Sequence, residues 1–249
     1  MRLELCTWLE VEDYLKQTTG LMIPVGSHEQ HGPIGLIGTD AICAQAVAND
    51  AADIAGNMVA PTLCYTPAPF NLAFPGTISI REETFELMVT DILDGLISQG
   101  FDHIYFVNGH GANLAPLKRI ADHKAAMGQT RIRIRSWWDF EPVNELRSKY
   151  YGEWEGMHAT PSEIAITQAT HRIVASELAA QPPEKLSAEF IRIHSGDRHG
   201  PADEHRRDFP DGRVGSHSAL AKPEHGRALL KTAAQSVSQD YSDWISNPP

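Results

Sequence analysis

Apolar positions along the chain fall into short continuous runs that alternate with helically spaced stretches. Leu21 to Val25 is a compact apolar run that stops at Gly26, and Asp40 to Ile54 follows with alanines and β-branched residues at helical spacing. This predicts strand, loop, helix. A second apolar segment, Met58 to Leu63, leads into a Pro-rich stretch from Tyr65 to Gly76. Glu82 to Gln99 then repeats Phe85, Met88, Val89, Ile92, Leu93 and Leu96 in the pattern of an amphipathic helix. The β-rich run Ile104 to Val107 ends at Asn108-Gly109, Leu114 to Met127 reads as a helix, and Ile132 to Ile134 as another short strand. A final helix is predicted from about Glu224 to Trp244, whereas Gln181 to Ser218 shows little periodicity and predicts an irregular excursion. Strands alternating with helices predict an α/β fold with a mostly parallel sheet covered on both faces. In such sheets ligands bind where the carboxyl ends of the strands open into loops.

Composition narrows the classes. A chain of 249 residues with 42% hydrophobic content can bury roughly 70 to 75% of its unfolded surface, which suits one domain over residues 1–249. The 21 basic and 32 acidic residues leave a formal charge of -11, so phosphate backbones and anionic membranes are repelled on average. Nucleic acid is not an expected partner. Cys6, Cys43 and Cys64 are an odd set without Cys-x-x-Cys spacing, which argues against a disulfide framework or a thiolate zinc site and fits a reducing compartment. Charged residues between Arg2 and Lys16 interrupt any signal-peptide core, and no apolar run approaches the ~18 residues of a membrane span. The expected location is cytoplasmic.

The residue types that carry metal chemistry gather at the predicted strand ends. Gly26-Ser-His-Glu-Gln-His-Gly32 follows a strand directly, so Glu29 and His31 lie two residues apart on an extended loop and can point the same way. The zincin motif His-Glu-x-x-His does not apply, because the second histidine comes one residue early and Gly32-Pro33 forbids its helix. Asp40 opens the next predicted helix, where a bland reading makes it a cap. His110 stands just past another strand end, in Asn108-Gly-His-Gly-Ala-Asn113, where a turn role competes with a ligand role.

Taken in order, Pro24-Val-Gly-Ser-His-Glu-Gln-His-Gly-Pro33 with Gly38-Thr-Asp40, Asn108-Gly-His-Gly-Ala-Asn113 and His158-Ala-Thr-Pro-Ser-Glu163 resemble the successive signatures of the creatininase family. Weaker similarity through Phe74-Pro-Gly-Thr77 and Gly212-Arg-Val-Gly215 extends the resemblance over roughly residues 5 to 240. It implies a three-layer α/β/α sandwich, homo-oligomers that are often hexamers, and two divalent ions held by Glu29, His31, Asp40 and His110, with Asp40 bridging. The donor types agree: mixed carboxylate and imidazole sets suit Zn, Mn or Fe, and two such ions about 3.5 to 4 Å apart can share a hydroxide. Three carboxylates, Glu29, Asp40 and Glu163, with one hydroxide balance two divalent charges.

Two departures from the family pattern matter. Creatininase has a glutamate ligand two residues beyond the histidine that matches His110, and this chain has Ala112. Glu163 is the candidate to take its place, against the alternative of a paired structural glutamate. The family's His-Leu-Pro is replaced by Ile34-Gly35-Leu36, which changes a pocket wall and argues against copying the substrate. Trp154 and Trp138 resemble substrate-contacting tryptophans, with a core role as the alternative. The function this implies is hydrolysis of a small non-peptide or cyclic amide, with His158 assisting proton transfer to the leaving nitrogen. A lactone or diketone hydrolase of the same fold is one rival. A non-catalytic phosphate binder on a flavodoxin-like sheet, using Asn108-Gly-His-Gly as its anion cradle, is the other.

Overall fold

The computed structural model describes residues 1–128 and 130–247. Its centre is a four-stranded parallel sheet of β1 (Gly20–Val25), β2 (Met58–Val59), β3 (His103–Asn108) and β4 (Arg131–Ser136), in the order β2-β1-β3-β4. The helices are α1 (Trp8–Leu15), α2 (Thr39–Ala55), α3 (Glu82–Ser98), α4 (Leu114–Ala126), α5 (Glu141–Tyr151), α6 (Pro161–Thr170), α7 (Ala188–His194), α8 (Ala202–Asp208) and α9 (Pro223–Ser246).

Alternation along the strands explains the three layers. Leu21, Ile23 and Val25 of β1, with Ile104 and Phe106 of β3, pack against Phe85, Val89 and Leu93 of α3 and Leu117 and Ile120 of α4. Met22, Tyr105 and Val107 point the other way, onto Val47 and Ala51 of α2 and Leu229, Ala233 and Val237 of α9. Both faces are covered, so the central strands are apolar throughout. Truncating a fully buried residue such as Ile23 to alanine should cost about 2–5 kcal/mol. The outer face of β4 is tied to α9 by Asp240, which accepts hydrogen bonds from Tyr105 Oη at 2.8 Å and Arg133 Nε at 2.7 Å.

The second apolar segment pairs as a strand only at Met58–Val59, with one further bridge between Leu63 and Val25. Pro61 interrupts it: Ala60 and Leu63 donate to Met22 and Pro24 carbonyls, and the proline between them has no N–H to give. The stretch 181–218, expected to be irregular, contains α7 and α8. An aromatic and imidazole cluster docks it on the body: Phe70 lies 4.7 Å from the His199 ring and 5.1 Å from the His205 ring, and His205 lies 5.1 Å from Phe209. Arg213 closes the segment with hydrogen bonds to the carbonyls of Ala179 and Gln181. Among the described residues no helix is long and apolar enough to cross a membrane.

Candidate metal centre

Parallel register places the two Gly-rich loops side by side, because Val25 pairs with Asn108 at the carboxyl ends of β1 and β3. The start of α2 is pressed against both ends. A Cβ on Gly26 would meet Ala41 N at 2.3 Å, and one on Gly109 would meet Asp40 O at 2.3 Å, so these glycines are needed for close approach. Asn108 fixes the second loop by donating from Nδ2 to the His110 carbonyl at 2.8 Å and accepting from His110 N at 3.2 Å.

Glu29, His31, Asp40 and His110 converge there, none more than 3% exposed. Asp40 is the second residue of α2, after the cap Gly38, and makes no capping hydrogen bond. Its two oxygens divide: Oδ1 lies 2.9 Å from His31 Nε2, and Oδ2 lies 3.1 Å from His110 Nδ1. Glu163 Oε1 lies 3.7 Å from His31 Nε2, and Glu29 Oε1 lies 3.5 Å from His110 Nδ1. Two donor groups therefore share Asp40, one with His31 and Glu163 and one with Glu29 and His110.

The partners of the rings assign their tautomers. His31 Nδ1–H donates to the Glu29 carbonyl at 3.1 Å, and His110 Nε2–H donates to the Pro67 carbonyl at 2.9 Å. Each ring then turns its second nitrogen toward carboxylate oxygens, an arrangement that needs a proton or a metal ion between them. Glu29 Oε1 and Asp40 Oδ2 are buried without a hydrogen-bond partner. The residues thus fit divalent metal: nitrogen and oxygen donors, two of the carboxylate oxygens unpaired, with outer partners that orient the rings.

The electrostatics agree. Burial pushes Glu29 up to about 8 against the opposing pull of His110, and pushes Glu163 up to about 7 against His31. Burial works against a charged His31, but Asp40 and Glu163 outweigh it and push the ring up to about 10. The same imidazoles outweigh burial at Asp40 and hold its carboxyl well below the usual range. Protons held this firmly stand where cations are wanted.

Glu163 has a structural partner as well. It is the third residue of α6, and it completes a capping box in which its carboxyl accepts from Thr160 N while Thr160 Oγ1 accepts from Glu163 N. His158 lies against the ligands without an orphaned ring atom: Nε2–H donates to the Gln30 carbonyl at 2.7 Å, and Nδ1 faces Glu29 Oε1 at 3.4 Å. Burial and the neighbouring His31 hold it well below its ordinary value, so it is neutral near pH 7. A third group of potential donors, Glu29, His31 and His158, includes it.

Glu29, Asp40, His110, His158 and Glu163 line a cavity of about 360 Å³ together with Trp137, Trp138, Met157 and Ile191. Trp138 lines it. Trp154 does not: it packs on His217 at 5.7 Å between ring centroids, under the Lys185 ammonium. The sequence reading missed Asp197, which enters the cavity from the turn after α7 with Oδ2 3.6 Å from His110 Nδ1. Burial raises its carboxyl above the ordinary range. Nothing in the local sequence around Asp197 marks it, since no periodicity or motif ties position 197 to the loops of β1 and β3.

The family model for creatininase, described as creatinine amidohydrolase, matches residues 4–240. The chain is 32% identical over 121 residues to the 3-dehydro-scyllo-inosose hydrolase of Thermotoga maritima, which covers 48% of this chain and 38% of that protein. It therefore spans about two fifths of that relative's length. It is 27% identical over 202 residues to creatinine amidohydrolase of Pseudomonas putida, covering 71% of this chain and 77% of that one. A crystal structure of creatininase superposes with a TM-score of 0.81 at 24% identity, covering 100% of this chain and 98% of that one. A manganese form of creatininase gives 0.77 at 22%, covering 100% and 99%. These superpositions establish the α/β/α fold, and with the family model matched across nearly the whole length, the chain belongs to the creatininase family.

Proposed function

We propose that this metal-dependent amidohydrolase holds two divalent ions and cleaves the C–N bond of a small non-peptide or cyclic amide. The observation that carries the reading is the division of Asp40, whose two oxygens serve two separate donor groups, each with an imidazole nitrogen and a further carboxylate. Glu29 and His110 would hold one ion, His31 and Glu163 the other, and Asp40 both. Zn, Mn or Fe suits this donor set, and when bound would polarise the amide carbonyl and acidify the attacking water.

The chain's own residues supply the rest. His31 and His110 are oriented by the Glu29 and Pro67 carbonyls, so their lone pairs cannot swing away. His158 is neutral near pH 7 and can take a proton at Nδ1, beside Glu29, and pass it to the departing nitrogen. Trp137, Trp138 and Ile191 line the cavity with apolar surface, against which a bound substrate would displace water and strengthen each polar contact inside. A volume of about 360 Å³ suits a small molecule. Family membership also supports a homo-oligomer, a hexamer among the forms to look for by light scattering.

The test is metal analysis of the purified protein, coupled to a panel of lactams, formamides, hydantoins, creatinine, lactones and a short peptide. The expected result is close to two ions per chain and an amide-cleaving activity lost with chelator and restored by Mn or Zn. Turnover indifferent to chelation, or confined to the lactones, would overturn the reading.

A further inference from the structure

β4 is the last strand of the sheet and pairs with β3 on one side. Arg131 N donates to the Asp102 carbonyl and Trp137 N to the Asn108 carbonyl, so the odd-numbered residues turn their peptide groups toward β3. Ile132 and Ile134 turn theirs outward. Among the described residues nothing accepts from or donates to those two peptide groups. Both residues are half-buried, and a groove of about 550 Å³ opens at this end of the edge, lined in part by Thr130, Arg131, Ile132 and Trp244. A free row of N–H and C=O groups is a template for a further strand.

The two sides of the edge differ in chemistry. Arg131, Arg133 and Arg135 point toward α9: the Arg131 guanidinium lies 5.2 Å over the Trp244 ring, and Arg133 Nε donates to Asp240 Oδ2 at 2.7 Å. Asp240 is the one carboxylate ion-paired with any of the three among the described residues, and Tyr105 Oη donates to it as well. Three guanidinium charges therefore meet one carboxylate, and Arg133 and Arg135 keep 31% and 39% of their side chains exposed. In a chain of formal charge -11 this is a local reversal of sign. Ile132 and Ile134 point the other way, onto the apolar layer that includes Leu117 and Ile120 of α4.

The arginines disfavour one occupant and favour another. In an antiparallel pairing of two copies, every register that joins Ile132 or Ile134 to its counterparts sets arginine opposite arginine, which is destabilising. We propose that the β4 edge is a docking site for an extended acidic peptide of a partner protein. The peptide would add as an antiparallel fifth strand, with Glu or Asp on the α9 side and β-branched residues opposite Ile132 and Ile134. Main-chain hydrogen bonds hold such a strand and its alternate side chains select it, here through opposite-charge pairs on one side and β-branched pairs on the other. None of residues 131–135 lines the cavity that holds the metal donors, so this surface is separate from the hydrolytic site.

The experiment titrates metal-loaded, full-length protein into a fluorescent peptide, Glu-Val-Glu-Thr-Glu-Val-Glu, and reads anisotropy up to about 1 mM protein. Binding should be saturable, and it should be lost when lysine replaces each glutamate. In an antiparallel strand the residues opposite Ile132 and Ile134 exchange the hydrogen bonds, so N-methylation of the valines and threonine should abolish binding while N-methylation of the glutamates leaves it within about threefold. Ile134→Pro removes an outward N–H and no bond to β3, and should abolish binding. Arg131→Gln combined with Arg135→Gln keeps the Arg133–Asp240 pair and should weaken binding about tenfold, a readout that stands even where the proline variant fails to fold. No binding at about 1 mM overturns the proposal, as does equal affinity for the lysine peptide or for the valine- and threonine-methylated one. An oligomer of the wild type that Ile134→Pro dissociates would assign the edge to a second copy and overturn it as well.

Discussion

Asp40 Oδ2 lies 3.1 Å from His110 Nδ1 without a hydrogen-bond partner, while the other ring nitrogen of His110 faces the Pro67 carbonyl at 2.9 Å. A ring nitrogen and a carboxylate oxygen face each other in a buried site, where a proton or a metal ion must stand between them. The first prediction follows from this contact and its counterpart at His31. Asp40→Asn should lose both ions, since a bridging carboxylate that loses its charge weakens two sites at once, each by about 10- to 100-fold or more. Elemental analysis after dialysis checks it. Full metal retention would remove the bridging role, while an unchanged circular dichroism spectrum would show that the isosteric amide leaves α2 intact.

A pH response is built into the segment that carries Asp197. Burial, reinforced by neighbouring histidines, holds His199 down to about 3, and burial holds His205 down to about 4. Both titrate near 6.5 once the segment detaches. Because the docked values are depressed, the detached state binds more protons below about 6.5, so docking is fully favoured above that pH and weakens as pH falls toward 4. Amide exchange, corrected for intrinsic rates, should show residues 187–209 losing protection between pH 6.5 and 4 while β1 and β3 keep theirs. His205→Phe, which keeps the aromatic contacts with Phe70 and Phe209, should reduce the response. Equal protection at pH 7 and 5 would refute it.

What the sequence made legible tracks where periodicity or a motif exists. β1 and β3 are buried on both faces and read as apolar runs, and α3 is amphipathic, so each was predicted within a residue or so. Among the helices that went unread, α5 and α6 did so for opposite reasons. α5 buries only Val143 and Tyr151 and has little apolar stripe, while α6 is buried from Pro161 to Gln168 and so has no polar face to contrast with. The donors Glu29, His31, Asp40 and His110 were legible because they flank strand ends that parallel pairing brings together. Asp197 was not, because its place depends on how a remote turn folds back over Gly111, which no local pattern encodes.

Creatinine should be a poor substrate. The motivation is Ala112, where creatininase has a glutamate ligand, with Ile34-Gly35-Leu36 in place of the family's His-Leu-Pro. Ile34 is buried and packs with Ala159, directly after His158, so the replaced segment bears on the reacting end of the cavity. Steady-state turnover below about 10 per second, a median enzyme rate, is expected. Faster turnover on creatinine would show that the altered wall and the missing ligand do not matter.

The last prediction separates a proton carrier from a ligand at His158. Its Nε2–H is fixed on the Gln30 carbonyl, its Nδ1 faces Glu29 Oε1 at 3.4 Å, and burial beside His31 keeps it neutral. His158→Ala should retain its metal and its fold, and lose about 10²- to 10⁴-fold in kcat, the usual worth of a general acid or base. The loss should be greatest for ordinary amides, whose leaving nitrogen must be protonated as the bond breaks. Activated amides and esters, which leave without help, should recover most of the rate. The pH dependence should also simplify, with one ionising limb gone from the kcat profile. If the variant instead gives up an ion, His158 belongs with Glu29 and His31 in the third donor group. If every substrate slows by the same factor, the ring positions Glu29 and the proton comes from elsewhere.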